Sequence, residues 1–575
     1  MTVTPTRLHG VAGAPGLALG PAYVLRTESE PSTSSEKTAG APDVVGEIQR
    51  WRSAREQVED ALRHLAERAR TSVGPAEAEI FDAQALMAAD PTLEEQVSAS
   101  IADGGSAEQA TRSAIAGFAA QFGGIEDVYL RQRAEDVQEV GRAFLRALDG
   151  RAPLALAEVP PGAVLCATEL AASALVMVDR STLAAIALGT GGVTSHIAIL
   201  ARTLNIPAVL GLGDFVARVT DGELVAVDGT RAEVILDPYG EELAELRRAV
   251  TAYAEERADL ASMANVPATT PDGLHLDLWA NVGGLDDVAP ALAAGAEGIG
   301  LFRTEFLITG RQTLPAEDEQ TDIYRRVLEA MGKRTVVIRT FDIGGDKDVP
   351  ALGLRHEANP FLGYRAIRIG LDHPELLQVQ LRAILRAARG GHSVWIMLPM
   401  VSRVEEVRRV RAVLESIREP GDQQVRLGIM VETPAAALIA AALASEVDFF
   451  SIGTNDLTQY TLAADRTDER LADIYEPFHP AVLRLIDMTA RAAETAGIPC
   501  GVCGEMAGDP RATALLIGSG IRELSMSAGS LGVIRREVRR TPRQAAIALT
   551  QAALALSTAD EVLAHVEAFR ASFRG

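Results

Sequence analysis

At 575 residues the chain is too long for a single hydrophobic core and calls for three or four domains. Apolar residues make up 47% and charged residues 23%, which fits a globular protein and excludes a disordered one. The formal net charge of -23 argues against nucleic acid as a main partner, because phosphate backbones attract cationic surfaces, and suits a small basic protein instead. No apolar run reaches the roughly 20 residues needed to cross a bilayer; the longest, around 435–443, is bounded by Pro434 and Glu446. The opening twenty residues lack the basic head and apolar middle of a signal peptide, and three cysteines do not make a disulfide framework. The expected address is therefore the cytoplasm, with no membrane insertion. Basic residues are nearly all arginine, the only lysines being Lys37, Lys333 and Lys347.

In chain order, a glycine-punctuated opening (10–24) leads into a Ser-, Pro- and Glu-rich linker at 27–42. Residues 44–148 carry apolar side chains at three- and four-residue spacing, such as Val137, Val140, Phe144 and Leu145, and predict a bundle of four helices. From 152 to 237 the texture becomes short strands and turns, with strands expected at 163–167, 184–188, 208–210 and 224–227 and a helix at 194–204. That helix opens in the motif Gly191-Gly-Val-Thr-Ser-His-Ile-Ala-Ile-Leu-Ala-Arg202. Thr194 or Ser195 can cap it, so His196 falls in the first turn, where free N–H groups and the helix dipole favour a neutral imidazole and a phosphate bound to it. A lone histidine is more often structural; here the polar, glycine-rich surroundings favour presentation. A charged helix at 241–263 reads as a connector.

Eight short apolar segments then alternate with helical ones: 276–282, 298–302, 335–339, 394–400, 427–431, 449–452, 499–502 and 523–526. This is the pattern of a (β/α)8 TIM barrel. Polar residues fall at or beyond the strand C-termini: Asn281, Arg303, Arg339 with Asp342, Glu432, Asn455 with Asp456, Cys503 with Glu505, and Ser527. Barrel active sites are built on that face. Arg303 and Arg339, joined from loops by Arg365 and Arg466, suit anion binding, although each arginine could instead pair with a structural carboxylate. Glu432 and Asp456 suit magnesium, or alternatively an acid/base pair of the glycosidase kind, which an arginine-lined pocket disfavours. Lys347, in Phe341-Asp-Ile-Gly-Gly-Asp-Lys347, offers a further positive charge. Cys503 closes a lone C-x-x-C and is a proton donor to carbon or an inert buried thiol, whereas Cys500 reads as packing. His479 lies between prolines in Pro477-Phe-His-Pro and reads as a structural turn.

Taken together, the segments 191–202, 298–306, 338–347, 359–365, 451–460 and 501–505 resemble the phosphoenolpyruvate-utilising enzymes, and among them the enzyme I group of the sugar phosphotransferase system. The resemblance covers essentially the whole chain. It implies a multidomain α/β protein with a swivelling phosphohistidine domain at 1–24 and 150–237 and a helical insertion at 43–149 that docks the phosphocarrier HPr. A linker helix at 238–264 and a barrel at 265–575 that binds phosphoenolpyruvate and dimerises complete the expected layout. His196 would accept the phosphoryl group and Cys503 would protonate the enolate to pyruvate. Arg303, Arg339, Asn455 and Arg466 would hold the substrate, with Arg365 and Lys347 close by, and Mg2+ would sit on Glu432 and Asp456. Acidic residues at 77–82 could steer a basic partner. Two positions depart from the enzyme I pattern: Val193, where many members have arginine, and Leu170-Ala-Ala-Ser173, where a threonine is usual.

Overall fold

A computed structural model of the chain describes residues 6–25, 43–72, 75–123, 128–150, 159–170, 172–177, 182–192, 195–204, 206–308, 311, 313–345, 349–354, 357, 359–466, 468–471 and 473–573. The linker at 27–42 and residues Ala152, Val193, Thr194 and Lys347 lie outside these. Two compact units emerge, Met1–Glu256 and Arg257–Gly575.

In the first unit the helical region holds five helices: α1 (Val44–Ser72), α2 (Pro75–Ala88), α3 (Pro91–Ala102), α4 (Ala107–Gly123) and α5 (Val128–Leu148). The fifth arises because Asp90 accepts a hydrogen bond from the Thr92 N–H at 2.8 Å while Pro91 occupies the first turn, where no N–H is needed. Along α1 the buried residues Trp51, Ala54, Val58, Leu62, Ala66 and Ala69 recur every three or four positions and form one seam. Trp51 anchors it, stacking on Phe144 of α5 at 5.3 Å between ring centroids and donating its indole N–H to Thr111 Oγ1 at 3.1 Å.

The rest of this unit is an eight-stranded sheet of β1 (Thr6–His9), β2 (Val11–Ala14), β3 (Leu17–Leu25), β4 (Ala163–Ala167), β5 (Leu183–Leu188), β6 (Ala208–Leu210), β7 (Leu224–Asp228) and β8 (Glu233–Leu236). Its spatial order is β1-β8-β7-β3-β4-β5-β6-β2. The central β3–β4–β5–β6 run is parallel and the flanking pairings are antiparallel. The glycine-punctuated opening thus supplies two strands, β2 and β3, with β1 just before it, and β3 joins the parallel and antiparallel parts. Short helices follow β4 and β5: α6 (Ala172–Met177) and α7 (His196–Thr203). The connector is α8 (Gly240–Ser262).

In the second unit, β9 (Asp277–Val282), β10 (Ile299–Phe302), β11 (Val336–Arg339), β12 (Val394–Leu398), β13 (Arg426–Val431), β14 (Phe450–Ile452), β15 (Cys500–Val502) and β16 (Glu523–Met526) close into a barrel. Every pairing in it is parallel. One set of strand residues, including Leu278, Ile299, Phe302, Ile338 and Ile396, joins the large core shared with the helices. The other set fills the barrel interior as a separate cluster of Trp279, Leu301, Val337, Met397, Met430, Phe449 and Cys503. Space for the indole comes from Gly298, where an added Cβ would lie 2.8 Å from Trp279. Among the described residues no helix is long and apolar enough to cross a membrane.

Removing the bundle anchor should leave an unfilled volume that the seam cannot close. Trp51→Ala is expected to cost about 3–5 kcal/mol in the helical region, read as a lower denaturant midpoint for helix loss and as loss of the Trp51 near-UV signal.

Candidate active site

Two separate places carry the candidate residues. In the first unit, β5 ends at Leu188 and the chain passes through Gly191, whose φ of +105° suits a residue without a side chain, before α7 begins at His196. Ser195 caps the helix: its hydroxyl donates to the Gly192 carbonyl at 2.8 Å and accepts from the Ala198 N–H at 3.4 Å. Behind it, Ile197, Ala198, Leu200 and Ala201 are buried and fix the helix on the sheet. His196 is thereby placed at the first helical position, where uncompensated N–H groups favour negative charge.

In the second unit a cavity of about 340 Å3 opens at the C-terminal ends of the barrel strands, within the size range of a small-metabolite site. Arg303 follows β10, Arg339 ends β11, Glu432 follows β13, Asn455 and Asp456 follow β14, and Cys503 follows β15. Arg365 and Arg466 reach the same cavity from loops. Of the residues expected there, the structure brings together Arg303, Arg339, Arg365, Glu432, Asn455, Asp456, Arg466 and Cys503.

The four arginines are not equivalent. Arg339 is buried and pairs with Glu305 at 3.0 Å and Asp342 at 3.1 Å. Arg365, also buried, donates to both oxygens of Asp342 at 3.0 and 3.1 Å, donates to the Tyr460 hydroxyl at 3.2 Å and lies 3.7 Å from Asp456. Burial opposes both charges, but the facing carboxylates outweigh it and raise both pKa values, so the two guanidiniums are fixed cations. The pairing with structural carboxylates, one of the two readings open from the sequence, therefore describes Arg339 and Arg365. Arg303 and Arg466 are exposed to the cavity, and neither has an ion pair with a described residue. The crowded cavity walls and the neighbouring Arg339 hold the Arg303 guanidinium below its ordinary value, a strain that an anion would relieve.

Glu305 and Asp342, which sequence reasoning left without a role, are what orders this wall. Glu305 accepts the Asp342 N–H at 2.9 Å as well as pairing with Arg339. Below them Gln380 accepts the Phe341 N–H at 3.0 Å and donates to Thr304 at 3.1 Å, and Thr304 donates to the Arg339 carbonyl at 2.9 Å. The signal was present in Arg303-Thr-Glu305, a carboxylate two residues beyond an arginine at a strand end, but its partner lies on the next strand.

Glu432 is buried, and burial, then Asp456 and Asp342, push its carboxyl pKa up. One Glu432 oxygen accepts the Met400 N–H at 2.5 Å, and the Oδ1 of Asp456 is buried and accepts no hydrogen bond from a described residue, the Arg365 guanidinium standing off at 3.7 Å. The described lining residues carry four guanidiniums against five carboxyls, from Glu305, Asp342, Glu432, Asp456 and Glu505. An anionic substrate would find that balance unfavourable unless a cation joined it. An orphaned carboxylate oxygen beside a second buried carboxyl fits a divalent cation held by oxygen ligands. Among the described residues the tightest cluster of metal-type side chains lies elsewhere, His275 with Asp277 and Glu297 at the other end of the barrel.

Cys503 is buried, its thiol facing the Ile452 carbonyl at 3.8 Å and its pKa pushed up to about 12 by burial, so it stays protonated. Asn281 does not line the cavity; it donates to the Cys503 carbonyl at 3.0 Å and accepts from Ser525 at 2.7 Å, fixing the backbone that carries the thiol. Asn455 accepts the Glu505 N–H at 2.9 Å, and His479 caps the helix Pro480–Ala496 by accepting the Ala481 N–H at 3.2 Å. Ala366, Met400 and Ala463 adopt φ of +55°, +57° and +52° beside Arg365, Glu432 and the Arg466 loop, backbone strain of the kind that gathers at functional sites.

Family models match most of the chain: a PEP-utilising enzyme PEP-binding domain over residues 257–543, a PEP-utilising enzyme N-terminal region over 9–133 and a PEP-utilising enzyme mobile domain over 159–232. The phosphoenolpyruvate-protein phosphotransferase of Bacillus sp. (strain S) is 41% identical over 568 residues, covering 97% of each chain. That of Bacillus subtilis is 40% identical, covering 97% of this chain and 99% of its own, and that of Haemophilus influenzae is 39% identical, covering 98% and 99%.

All three cysteines, Cys166, Cys500 and Cys503, are free and buried, and burial raises each thiol pKa. A raised pKa lowers the thiolate fraction at any given pH, so at pH 8 a maleimide is expected to label the native chain at least about 100-fold more slowly than the denatured chain. Fast native labelling of one thiol would contradict the burial of that residue.

Proposed function

The chain belongs to the PEP-utilising enzymes, and from that premise we propose that it is a phosphotransferase that moves the phosphoryl group of phosphoenolpyruvate onto its own His196 and then onto a histidine of the phosphocarrier HPr, the first step of the sugar phosphotransferase system. The observation that carries this reading is the cavity at the strand C-termini: two open guanidiniums, a buried carboxyl pair with an orphaned oxygen, and a buried protonated thiol within one small volume.

In this reading Arg303 and Arg466 take the phosphate and carboxylate oxygens, with Asn455 beside them, while Arg339 and Arg365 form the fixed positive wall. Lys347 is assigned to the same substrate group. Enzymes of this family use a divalent metal; we assign Mg2+, held by Glu432 and Asp456, where it would offset charge on phosphoryl oxygens. The neutral imidazole of His196 attacks phosphorus, the bond from phosphorus to the enol oxygen breaks, and that oxygen keeps the electron pair as an enolate. The Cys503 thiol gives its proton to the enolate carbon, producing pyruvate. Positioning and fixed charge supply most of the rate. Phosphohistidine at the start of α7 would gain from the free N–H groups there.

We assign 1–24 and 150–237 to the phosphohistidine domain, 43–149 to HPr docking, 238–264 to a linker and 265–575 to the barrel. A homodimer through the barrel is supported by exposed apolar residues on the segments after its strands, including Leu362 (68% exposed), Leu438 (64%) and Ile474 (52%). Work in the cytoplasm fits both a phosphocarrier partner and the absence, among the described residues, of a helix able to cross a membrane.

Incubation with phosphorus-labelled phosphoenolpyruvate and magnesium should place an acid-labile, base-stable label on the native chain and none on His196→Ala, and HPr should then remove it. Label persisting in His196→Ala would move the acceptor elsewhere. Cys503→Ala should lower pyruvate formation by about 10²–10⁴-fold while leaving phosphoenolpyruvate affinity within a few-fold; an unchanged rate would assign the proton to another group.

A further inference from the structure

A second and larger cavity, about 640 Å3, lies at the opposite mouth of the barrel. Asp277, Cys500 and Glu523, the first residues of β9, β15 and β16, line it, as does Thr335 just before β11. We propose that it binds a small zwitterionic amine, holding the ammonium group on Glu523 among indole rings and the acid group on the rim formed by Lys333, Arg334 and Arg522. The site is independent of the phosphotransferase reading.

Glu523 is the reason for an amine. Its side chain turns into the barrel, where glycines make room for it: a Cβ on Gly300 would sit 2.5 Å from Oε1, and one on Gly501 would collide with the other oxygen. Oε1 is wholly buried and accepts no hydrogen bond from a described residue. A buried acceptor left without a donor costs free energy that a ligand donor returns. Burial, with Asp277 adding to it, pushes the carboxyl up to about 8, and a bound ammonium would reverse that shift. The other acids at this mouth are already engaged, Glu297 and Asp277 lying 3.0 and 3.6 Å from His275. That leaves one free carboxyl, too few for a hard metal ion that takes six or more oxygens.

The walls suit an organic cation. Trp279 and Trp395 meet edge to face at 5.6 Å, and Arg426 already sits 4.7 Å over the Trp395 ring, so this aromatic system holds positive charge. The rim suits an acid. Lys333 and Arg334 are exposed, and neither they nor Arg522 has an ion pair with a described residue. Burial and Arg543 hold Arg522 below its ordinary value, which an anion would correct. A carboxyl floor that an ammonium would ionise, aromatic walls and a positive rim together select a molecule with its two charges separated, such as an ω-amino acid, over a simple anion or a simple amine.

Two of the three tryptophans of the chain, Trp279 and Trp395, line the cavity and report on it directly. With 5-aminovalerate as probe, the tryptophan emission of the full chain should change saturably, and pentanoate should produce no such change. Glu523→Gln should weaken binding by at least about tenfold, and the double variant Lys333→Ala/Arg334→Ala by several-fold, with saturating phosphoenolpyruvate and magnesium leaving the wild-type response in place. No saturable change in the wild-type chain, equal affinity in Glu523→Gln, or displacement by phosphoenolpyruvate would each overturn the proposal. Should Glu523→Gln fail to fold, the rim variant decides: unchanged affinity in that folded protein overturns it as well.

Discussion

Asp342 is the constraint on which the site at the C-terminal mouth of the barrel depends. One carboxylate accepts from Arg365 through both oxygens and pairs with Arg339, and its own N–H is fixed by Glu305, which returns to Arg339. A buried cluster of this kind is weak evidence for stability, since desolvating the charges costs as much as their attraction returns. Its effect is geometric. Two guanidiniums that would otherwise repel are held side by side at the end of one strand and on the loop that follows, and the loop is held by the Arg365 contact with Tyr460 as well. Removing Asp342 would leave two buried cations without a partner, so the cluster stands or falls together.

The same pairing sets what the cavity can bind. Because Arg339 and Arg365 are already paired with Glu305 and Asp342, the guanidiniums left open to a ligand among the described residues are those of Arg303 and Arg466, while Glu432 and Asp456 add negative charge within the same small volume. Two like charges side by side in a buried place favour either a proton or a metal ion between them. With a divalent cation in place the cavity changes from slightly negative to positive and accepts a highly charged anion. The charge balance of the described lining is thus compatible with the divalent metal that enzymes of this family use.

Much of this was legible in the residues, for identifiable reasons. Barrel strands are buried on both faces, so they stand out as short apolar runs, and the run at 523–526 matches β16 to the residue. Polar residues then mark the strand ends without further information. By contrast, β3 reads Leu-Ala-Leu-Gly-Pro-Ala-Tyr-Val-Leu, small and glycine-containing, and becomes a strand through pairing with β4 and β7, both more than a hundred residues away. The extra helix of the bundle turned on a single Asp90-Pro91 start signal inside a continuous helical pattern. The division of the four arginines into paired and open could not be read at all, because Glu305 and Arg339 meet only when adjacent strands align, and which carboxylate faces which arginine is a property of the closed barrel.

Closure also joins the two mouths. The interior cluster joins Trp279, which lines the lower cavity, to Leu301, Met430 and Cys503, which line the upper one, and Val337, Met397 and Phe449, which line neither, belong to it as well. A polar path runs beside it: Ser525, two residues along β16 from Glu523, donates to Asn281, and Asn281 donates to the carbonyl of Cys503. A close-packed interior has low compressibility and transmits strain, and the Trp279 indole fills the space left by Gly298. The glycines at 298 and 300 hollow the lower barrel, and the bulky Trp279 and Glu523 that occupy the space they leave belong to the same packing that positions the thiol.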